Sequence, residues 1–142
     1  MSNFGDINFV NIGSRKDIKV EKIDREKYKS LLKIFNLEYD KDLFILAMKV
    51  GYFYNLCSDL KVSYGKFNYN DIGLKNKAEM ILISYEKNKD SAKVFDGATI
   101  LETCEKYANG GIKRLYELFC ESNKDEEIII EDFMKEIAKK IK

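Results

Sequence analysis

The residue types that perform covalent and acid–base chemistry are few in this chain of 142 residues. Histidine is absent, which excludes serine–histidine and cysteine–histidine nucleophile pairs and a histidine general base. It also excludes histidine as a metal ligand, the usual way in which proteins hold catalytic zinc. Carboxylate, lysine and tyrosine chemistry remains available. The composition therefore favours a protein that is not an enzyme and that holds neither a cofactor nor a metal.

The three cysteines, Cys57, Cys104 and Cys120, are odd in number and lack a C-x-x-C pair. Cys104 and Cys120 fall in apolar helical patterns, where a free cysteine behaves as a small hydrophobic residue. The first residues carry no basic segment followed by an apolar run, and no stretch reaches the about 18 apolar residues of a membrane span. These features predict reduced thiols in a cytoplasmic protein that does not enter a membrane.

A cluster of carboxylates near the end of the chain is the strongest candidate for metal binding, and comprises Asp125, Glu126, Glu127, Glu131 and Asp132. Its spacing lacks the alternating positions of a calcium-binding loop. The cluster coincides with a predicted helix start, where acidic side chains are favourable because of the helix dipole. We therefore interpret it as helix capping and solvation.

The tract Asn109, Gly110 and Gly111 resembles a phosphate-binding loop only superficially, because no lysine follows the glycines at the required spacing. Glycine after an apolar helical pattern is typical of a helix C-terminus. The tract therefore predicts a tight turn between two antiparallel helices, one ending at Ala108 and the next beginning at Ile112.

A mainly helical framework must position these residues. Apolar residues make up 45% of the chain and charged residues 35%, a globular balance, and the absence of proline permits long helices. We predict one domain over residues 1–142, with 1–16 as a loose leader, built as a compact bundle of about six helices with a short N-terminal strand and a small β-ribbon between helices 2 and 3. The predicted strand is Asp17–Ile23 and the predicted ribbon is Val62–Tyr69. The six predicted helices are Arg25–Asn36, Asp40 to about Leu56, Leu74–Lys87, Ala98–Ala108, a helix that begins at Ile112, and Asp125–Ile141.

Two finer expectations concern individual helices. Gly51 lies inside the strongly apolar second helix, so it indicates either close approach of another backbone or a helix end nearby. In the third helix the apolar spacing predicts that a set of four residues faces the core. That set is Ala78, Ile81, Leu82 and Tyr85.

The segment from Ile18 to Leu56 reads strand, helix, short turn, helix, which is the outline of a ribbon-helix-helix module. In such a module the strands of two subunits pair and enter the major groove of DNA, so Lys19, Glu21 and Lys22 would face the bases of a DNA partner, with Lys19 and Lys22 as the binding residues, and the chain would be a homodimer. The alternative is an ordinary helical hairpin with a frayed leader. The net charge of +1 provides no general attraction to nucleic acid.

Two stretches resemble a known family. Tyr39 to Tyr52 (YDKDLFILAMKVGY) is similar to a pattern of an acidic turn, Asp-Leu, an apolar run and a glycine–aromatic pair. Ile100 to Phe119 (ILETCEKYANGGIKRLYELF) is similar to a Glu-x-Tyr-Ala-Asn-Gly-Gly core followed by an apolar helix. The matching residues of that core are Glu105, Tyr107, Ala108, Asn109, Gly110 and Gly111. The family is DNA phosphorothioation-associated protein 4, also called Dnd-system-associated protein 4, and the similarity covers residues 18–125.

The resemblance implies a bacterial cytoplasmic protein that acts as a non-catalytic accessory in defence against foreign DNA and binds a larger defence-system protein. It supplies no catalytic residues. We expect the docking surface at the predicted glycine turn and the two cations beside it. Its residues are Tyr107, Asn109, Gly110, Gly111, Lys113 and Arg114. The competing interpretation of the turn is purely structural, since glycines suffice to join two helices.

Overall fold

The structure, a computed structural model, describes residues 17–121 and 125–141; the predicted leader at 1–16 lies outside them. The expected mainly α fold with a short N-terminal strand is confirmed. Within the described residues the elements are β1 (Asp17–Glu21), α1 (Arg25–Ile34), α2 (Asp40–Phe53), β2 (Ser63–Asn68), α3 (Leu74–Asn88), α4 (Gly97–Phe119) and α5 (Glu126–Ile141). None of these helices is long and apolar enough to cross a membrane.

The two strands form one antiparallel sheet, in which Asp17 lies opposite Asn68 and Glu21 opposite Ser63. The predicted ribbon between the second and third helices therefore contributes one strand, and its partner is the N-terminal strand. Alternation along β1 buries Ile18 and Val20 against the helices and exposes Asp17 and Lys19, whereas Glu21 at the end of the strand is buried. The sheet thereby closes one side of the helical core.

The centre of the fold is the crossing of α2 and α4. A Cβ atom built on Gly111 would overlap the carbonyl oxygen of Ala47, and one built on Gly51 would overlap that of Tyr107. Only residues without a side chain permit backbones this close. The expectation that Gly51 marks a close approach is confirmed, and α2 also ends two residues later, at Phe53.

The predicted turn at Asn109–Gly111 is wrong, because α4 runs without interruption through all three residues. Gly110 and Gly111 have ordinary helical φ angles; the left-handed positions belong instead to Asn36 and Asn55, two residues beyond the ends of α1 and α2. Two predicted helices are thus one helix of 23 residues. Its glycines serve contact with α2, not reversal of the chain.

The predicted inward face of α3 is also wrong. Leu82 and Tyr85 are exposed, as is Ala78, and Ile81 is half-buried. The buried residues of α3 are Met80, Ile83 and Ser84. This rotation has a polar cause. The Asn88 side-chain amide donates to the Thr103 hydroxyl of α4 (2.9 Å) and to the carbonyl and hydroxyl of Ser84. The four successive apolar residues at 80–83 would allow either face of α3 to pack against the core.

Aromatic contacts connect α1 and α5 to the end of α4. The ring of Phe119 meets Phe35 of α1 edge-on at 5.0 Å and Phe133 of α5 at 6.0 Å between centroids. The inner side of α5 is formed by Ile129, which is buried, and by Phe133 and Ile137, which are half-buried. The end of α4 is therefore covered from two sides.

Candidate functional site

An open groove of about 660 Å³ lies where the chain leaves α2 and passes along α4. Its lining residues come from the end of α2, the loop that follows it, and one side of α4, and are Tyr54, Asn55, Leu56, Cys57, Ser58, Gly110, Lys113, Arg114 and Glu117. The loop enters the groove through Asn55, whose φ of 57° reverses the chain after the helix. The loop contacts the backbone of α4 at Gly110 and there forms a wall of the groove. A larger residue would prevent this contact, because its Cβ would overlap the Leu56 carbonyl.

Arg114 lines this groove and is paired with two carboxylates, the exposed Glu117 and the half-buried Glu136. Its guanidinium donates to Glu117 (2.9 Å) and to both carboxylate oxygens of Glu136 in α5 (3.2 Å each). The hydroxyl of Tyr54 donates to the same Glu136 at 2.7 Å. Burial, together with this hydrogen bond to a negative charge, raises the pKa of Tyr54 to about 12. Tyr54 therefore stays neutral at physiological pH and fastens α5 to the groove.

Lys113 also lines the groove, but its ammonium group is held in a buried polar network that consists of Glu21, Asp24, Asn109 and Lys113. Lys113 Nζ lies 2.6 Å from Asp24 Oδ2, 2.7 Å from Asn109 Oδ1 and 3.6 Å from Glu21 Oε2. Lys27 Nζ is 3.0 Å from the other oxygen of Asp24; this contact is an ion pair whose geometry falls short of a hydrogen bond. Two ammonium groups thus balance two carboxylates.

Asn109 is the hub of this network. Its amide nitrogen donates to Glu21 Oε2 (2.9 Å) and to the carbonyls of Ser58 and Asp59 in the loop after α2. One side chain of α4 therefore holds both β1 and that loop in place. The space enclosed around the network has no room for a water molecule. This arrangement stabilises the fold and admits no substrate.

The structure separates the sequence-predicted docking residues into two groups. Tyr107, Asn109, Gly110 and Gly111 are buried, where α4 meets α2 and the loop. Lys113 and Arg114 are half-buried and border the groove. An exposed turn made of all six residues does not exist, because the segment is the middle of a helix packed on one side.

Cys57 is exposed and lines the groove, whereas Cys104 is buried. Burial of its sulfur raises the pKa of the Cys57 thiol, although nearby lysines partly counteract this effect. Burial also raises the pKa of Cys104 far above its usual range. The predicted core role of Cys104 agrees with this burial, and Cys120 is half-buried.

Lys19 lies in a second open pocket, of about 560 Å³, which also contains the carboxylates Asp59, Glu102 and Glu105. Glu105 Oε2 accepts a hydrogen bond of 2.6 Å from the backbone N–H of Lys19. Lys106 lines the same pocket and is paired with Asp59 and Glu102, at 3.4 Å each. Three carboxylates against two lysines leave the pocket with a small excess of negative charge, which does not favour phosphates.

The strand partner of β1 also departs from the ribbon-helix-helix arrangement. That arrangement requires β1 to pair with the same strand of a second subunit, but here it pairs with β2 of its own chain. Lys22 is exposed, and its backbone N–H donates to the Val62 carbonyl at 2.7 Å. The helices α1 and α2 therefore follow a strand that is part of an intrachain sheet.

Sequence reasoning missed the acidic half of the buried polar network, Glu21 and Asp24. The alternation of β1 would place Glu21 on the exposed face with Lys19, and an aspartate directly before a helix, as Asp24 is, normally indicates an N-cap. Asp24 does precede α1, but its side chain makes no capping hydrogen bond. A signal existed in the i, i+4 pair of Asn109 and Lys113, two polar residues on an otherwise apolar stretch of helix.

Across the described residues, no three acidic or cysteine side chains are grouped so that they could hold a metal ion. The chain matches no protein-family model, no curated protein and no solved structure. The geometry of the groove and the sequence motif are therefore the two sources for a functional hypothesis.

Proposed function

We propose that this chain is a non-catalytic accessory subunit of a bacterial antiviral defence system linked to DNA phosphorothioation. It acts in the cytoplasm by binding a larger protein of that system in the groove beside α4. One observation carries the proposal: the helical stretch through which the chain resembles DNA phosphorothioation-associated protein 4 forms one side of this groove. Gly110 of that stretch lines the groove, and Lys113 and Arg114 follow on the same helix.

The charges of the groove favour an acidic segment of the partner. Arg114 is bound to Glu117 on the groove side, and the Glu117 side chain is 63% exposed. An exposed ion pair of this kind contributes only about 0–1 kcal/mol, so a carboxylate of the partner can replace Glu117 at little cost. Arginine binds carboxylates with two parallel hydrogen bonds, which supplies orientation as well as affinity.

The chemistry of the groove supports binding over catalysis. A catalytic thiol requires a lowered pKa, whereas burial raises the pKa of Cys57. The ammonium group of Lys113 is committed to Asp24 and Asn109. The groove therefore presents fixed charges and the loop after α2, which Asn109 holds in place through hydrogen bonds. A preformed surface of this kind suits a docking site.

The test compares two variants that both lose the Arg114–Glu117 ion pair, of which Arg114→Gln also loses the contact with Glu136 in α5. Each is co-expressed with the larger proteins of a phosphorothioation gene cluster, and affinity is measured on the purified pair. Arg114→Gln removes the cation and is expected to weaken binding at least about tenfold. Glu117→Gln removes the competing carboxylate and is expected to leave binding unchanged or tighter. Lys113 is left in place because its loss would also unbalance Asp24.

Two outcomes contradict the proposal. The first is equal affinity of the Arg114→Gln variant and the unaltered chain for every larger protein tested. The second is tight, salt-sensitive binding of plain or phosphorothioated duplex DNA by the chain alone. Maleimide labelling of Cys57 provides a footprint, since a partner in the groove slows the reaction and a partner elsewhere does not. Melting temperatures of both variants report any loss of folding.

A further inference from the structure

The outward face of α3 is apolar, where a helix on a protein surface is normally polar. Leu74, Ala78, Leu82 and Tyr85 are all exposed and recur at intervals of four, four and three residues, so they form one stripe. Leu82 is 65% exposed. Phe95, 60% exposed, extends the stripe because its ring stacks on Tyr85 with 6.0 Å between centroids. A contiguous apolar patch of this kind marks an interaction surface.

We propose that this stripe is a homodimer interface, in which α3 packs antiparallel against α3 of a second copy of the chain. The stripe is complementary to itself. Ala78, a small residue near the middle of the helix, leaves a depression beside the projecting Leu82. A two-fold axis at the level of Met80 brings Leu82 of each copy next to Ala78 of the partner subunit, and each Leu74 near Tyr85 of the partner subunit.

Charges along one edge of the stripe determine the antiparallel direction. Lys75 and Glu86 are both exposed and are eleven positions apart, which is three helical turns, so they lie on the same flank. Antiparallel packing about the same axis sets Lys75 opposite Glu86 of the partner subunit, twice per dimer. Parallel packing about a two-fold axis would place this flank against the opposite flank of the partner helix, so Lys75 and Glu86 would not meet. The present contact of Glu86, with Lys89 at 3.8 Å, is an exposed pair that yields readily.

The first experiment measures the mass of the full chain by sedimentation equilibrium over a wide range of concentration. We expect a reversible dimer, and we expect Leu82→Glu to weaken it more than about a hundredfold, since a carboxylate would be buried without a partner. Val62→Glu is the matched control, because Val62 is 64% exposed but lies outside the stripe; its dimer should be unchanged. A chain that remains monomeric, or an equal effect of both variants, would overturn the proposal.

A charge exchange tests the direction of packing. Lys75→Glu and Glu86→Lys should each weaken the dimer about tenfold through like-charge repulsion, and the double variant should restore it to within about threefold. A double variant weaker than either single variant would contradict antiparallel packing. If instead the chain is monomeric and Leu82→Glu abolishes binding of a larger defence protein, the stripe is the binding surface for that protein and the dimer proposal is wrong. Arg114→Gln should leave the dimer intact, so this proposal and the docking groove fail separately.

Discussion

Substituting Gly111 by alanine tests whether the helix crossing is the centre of this fold. The added Cβ would overlap the Ala47 carbonyl oxygen and come within 2.8 Å of the backbone nitrogen of Gly51, whereas real Cβ atoms stay at least 3.0 Å from such neighbours. The overlap is with backbone, so no side-chain rotation relieves it. The helices α2 and α4 must separate by about 1 Å, which forfeits up to half of each interhelical contact at the crossing.

Two opposing terms give the magnitude. Alanine is favoured over glycine inside a helix by about 1 kcal/mol. Overpacking of a tight core costs about 1–3 kcal/mol and more where backbone must move. Taking the upper end of that cost and subtracting the helix preference, we expect Gly111→Ala to lower the free energy of unfolding by about 2 kcal/mol, against about 5–15 kcal/mol typical of a domain.

Urea denaturation followed by circular dichroism measures this effect, with a lower midpoint at unchanged slope as the expected result. Gly73→Ala is the matched control, since a Cβ there meets nothing within 4 Å and φ is −71°; its effect should stay within about 1 kcal/mol. If Gly111→Ala were neutral or stabilising, the close crossing would be refuted, because alanine would then behave as it does in an uncrowded helix.

Two further predictions concern the polar contacts of α4 and α5. Lys113→Met leaves the buried carboxylate of Asp24 with less compensating charge and should destabilise the protein by about 3 kcal/mol in the same urea assay; an unchanged midpoint would exclude a structural role for the buried polar network. Tyr54→Phe removes the hydrogen bond to Glu136 and should cost about 1–2 kcal/mol at pH 7. Because the pKa of Tyr54 is raised to about 12 from its ordinary value of 10.0, its contribution is complete below pH 10 and is lost as the pH rises towards 12. The unaltered chain should therefore lose more stability than Tyr54→Phe over that interval, and parallel stability curves would contradict the assignment.

Most helix and strand positions follow from local signals in the sequence. Asp24 before α1, the apolar run of α2, and the acidic start and basic end of α5 each reflect interactions within a few residues. The predicted start of α1 and the predicted starts of α2 and α3 agree with the structure to within one residue. Local physics suffices at these places because capping, dipole and periodicity all favour the same boundary.

The tract Asn109–Gly111 shows where local reasoning fails. The same residues suit a helix C-terminus and a close helix crossing, and only the opposing helix decides between them. Gly51 supplied half of the information, since a glycine in each of two apolar helices is the signature of backbones in contact. The face of α3 failed for a related reason: its orientation depends on a hydrogen bond from Asn88 to Thr103 of α4.

The docking role of the candidate residues stays a prediction. Lys113 and Arg114 border a groove, whereas the sequence predicted an exposed turn at this place. The partners of Lys113 could not be predicted, because Asp24 is 89 positions away and reaches it only through the packing of β1 and α1 on α4. Long-range pairing of this kind leaves no periodic trace in a single sequence.

The closure of β1 has a consequence for synthesis of the chain. Its backbone is held by Glu105, 86 positions later, and its strand partner β2 also follows α2. At about 5–20 residues per second, Glu105 follows β1 by on the order of 4–17 s. Until β2 has been synthesised, the edge of β1 is unpaired and open to association with other nascent chains. The charged residues Asp17 and Lys19 alternate with Ile18 and Val20. They favour hydration of the strand until α4 has been synthesised.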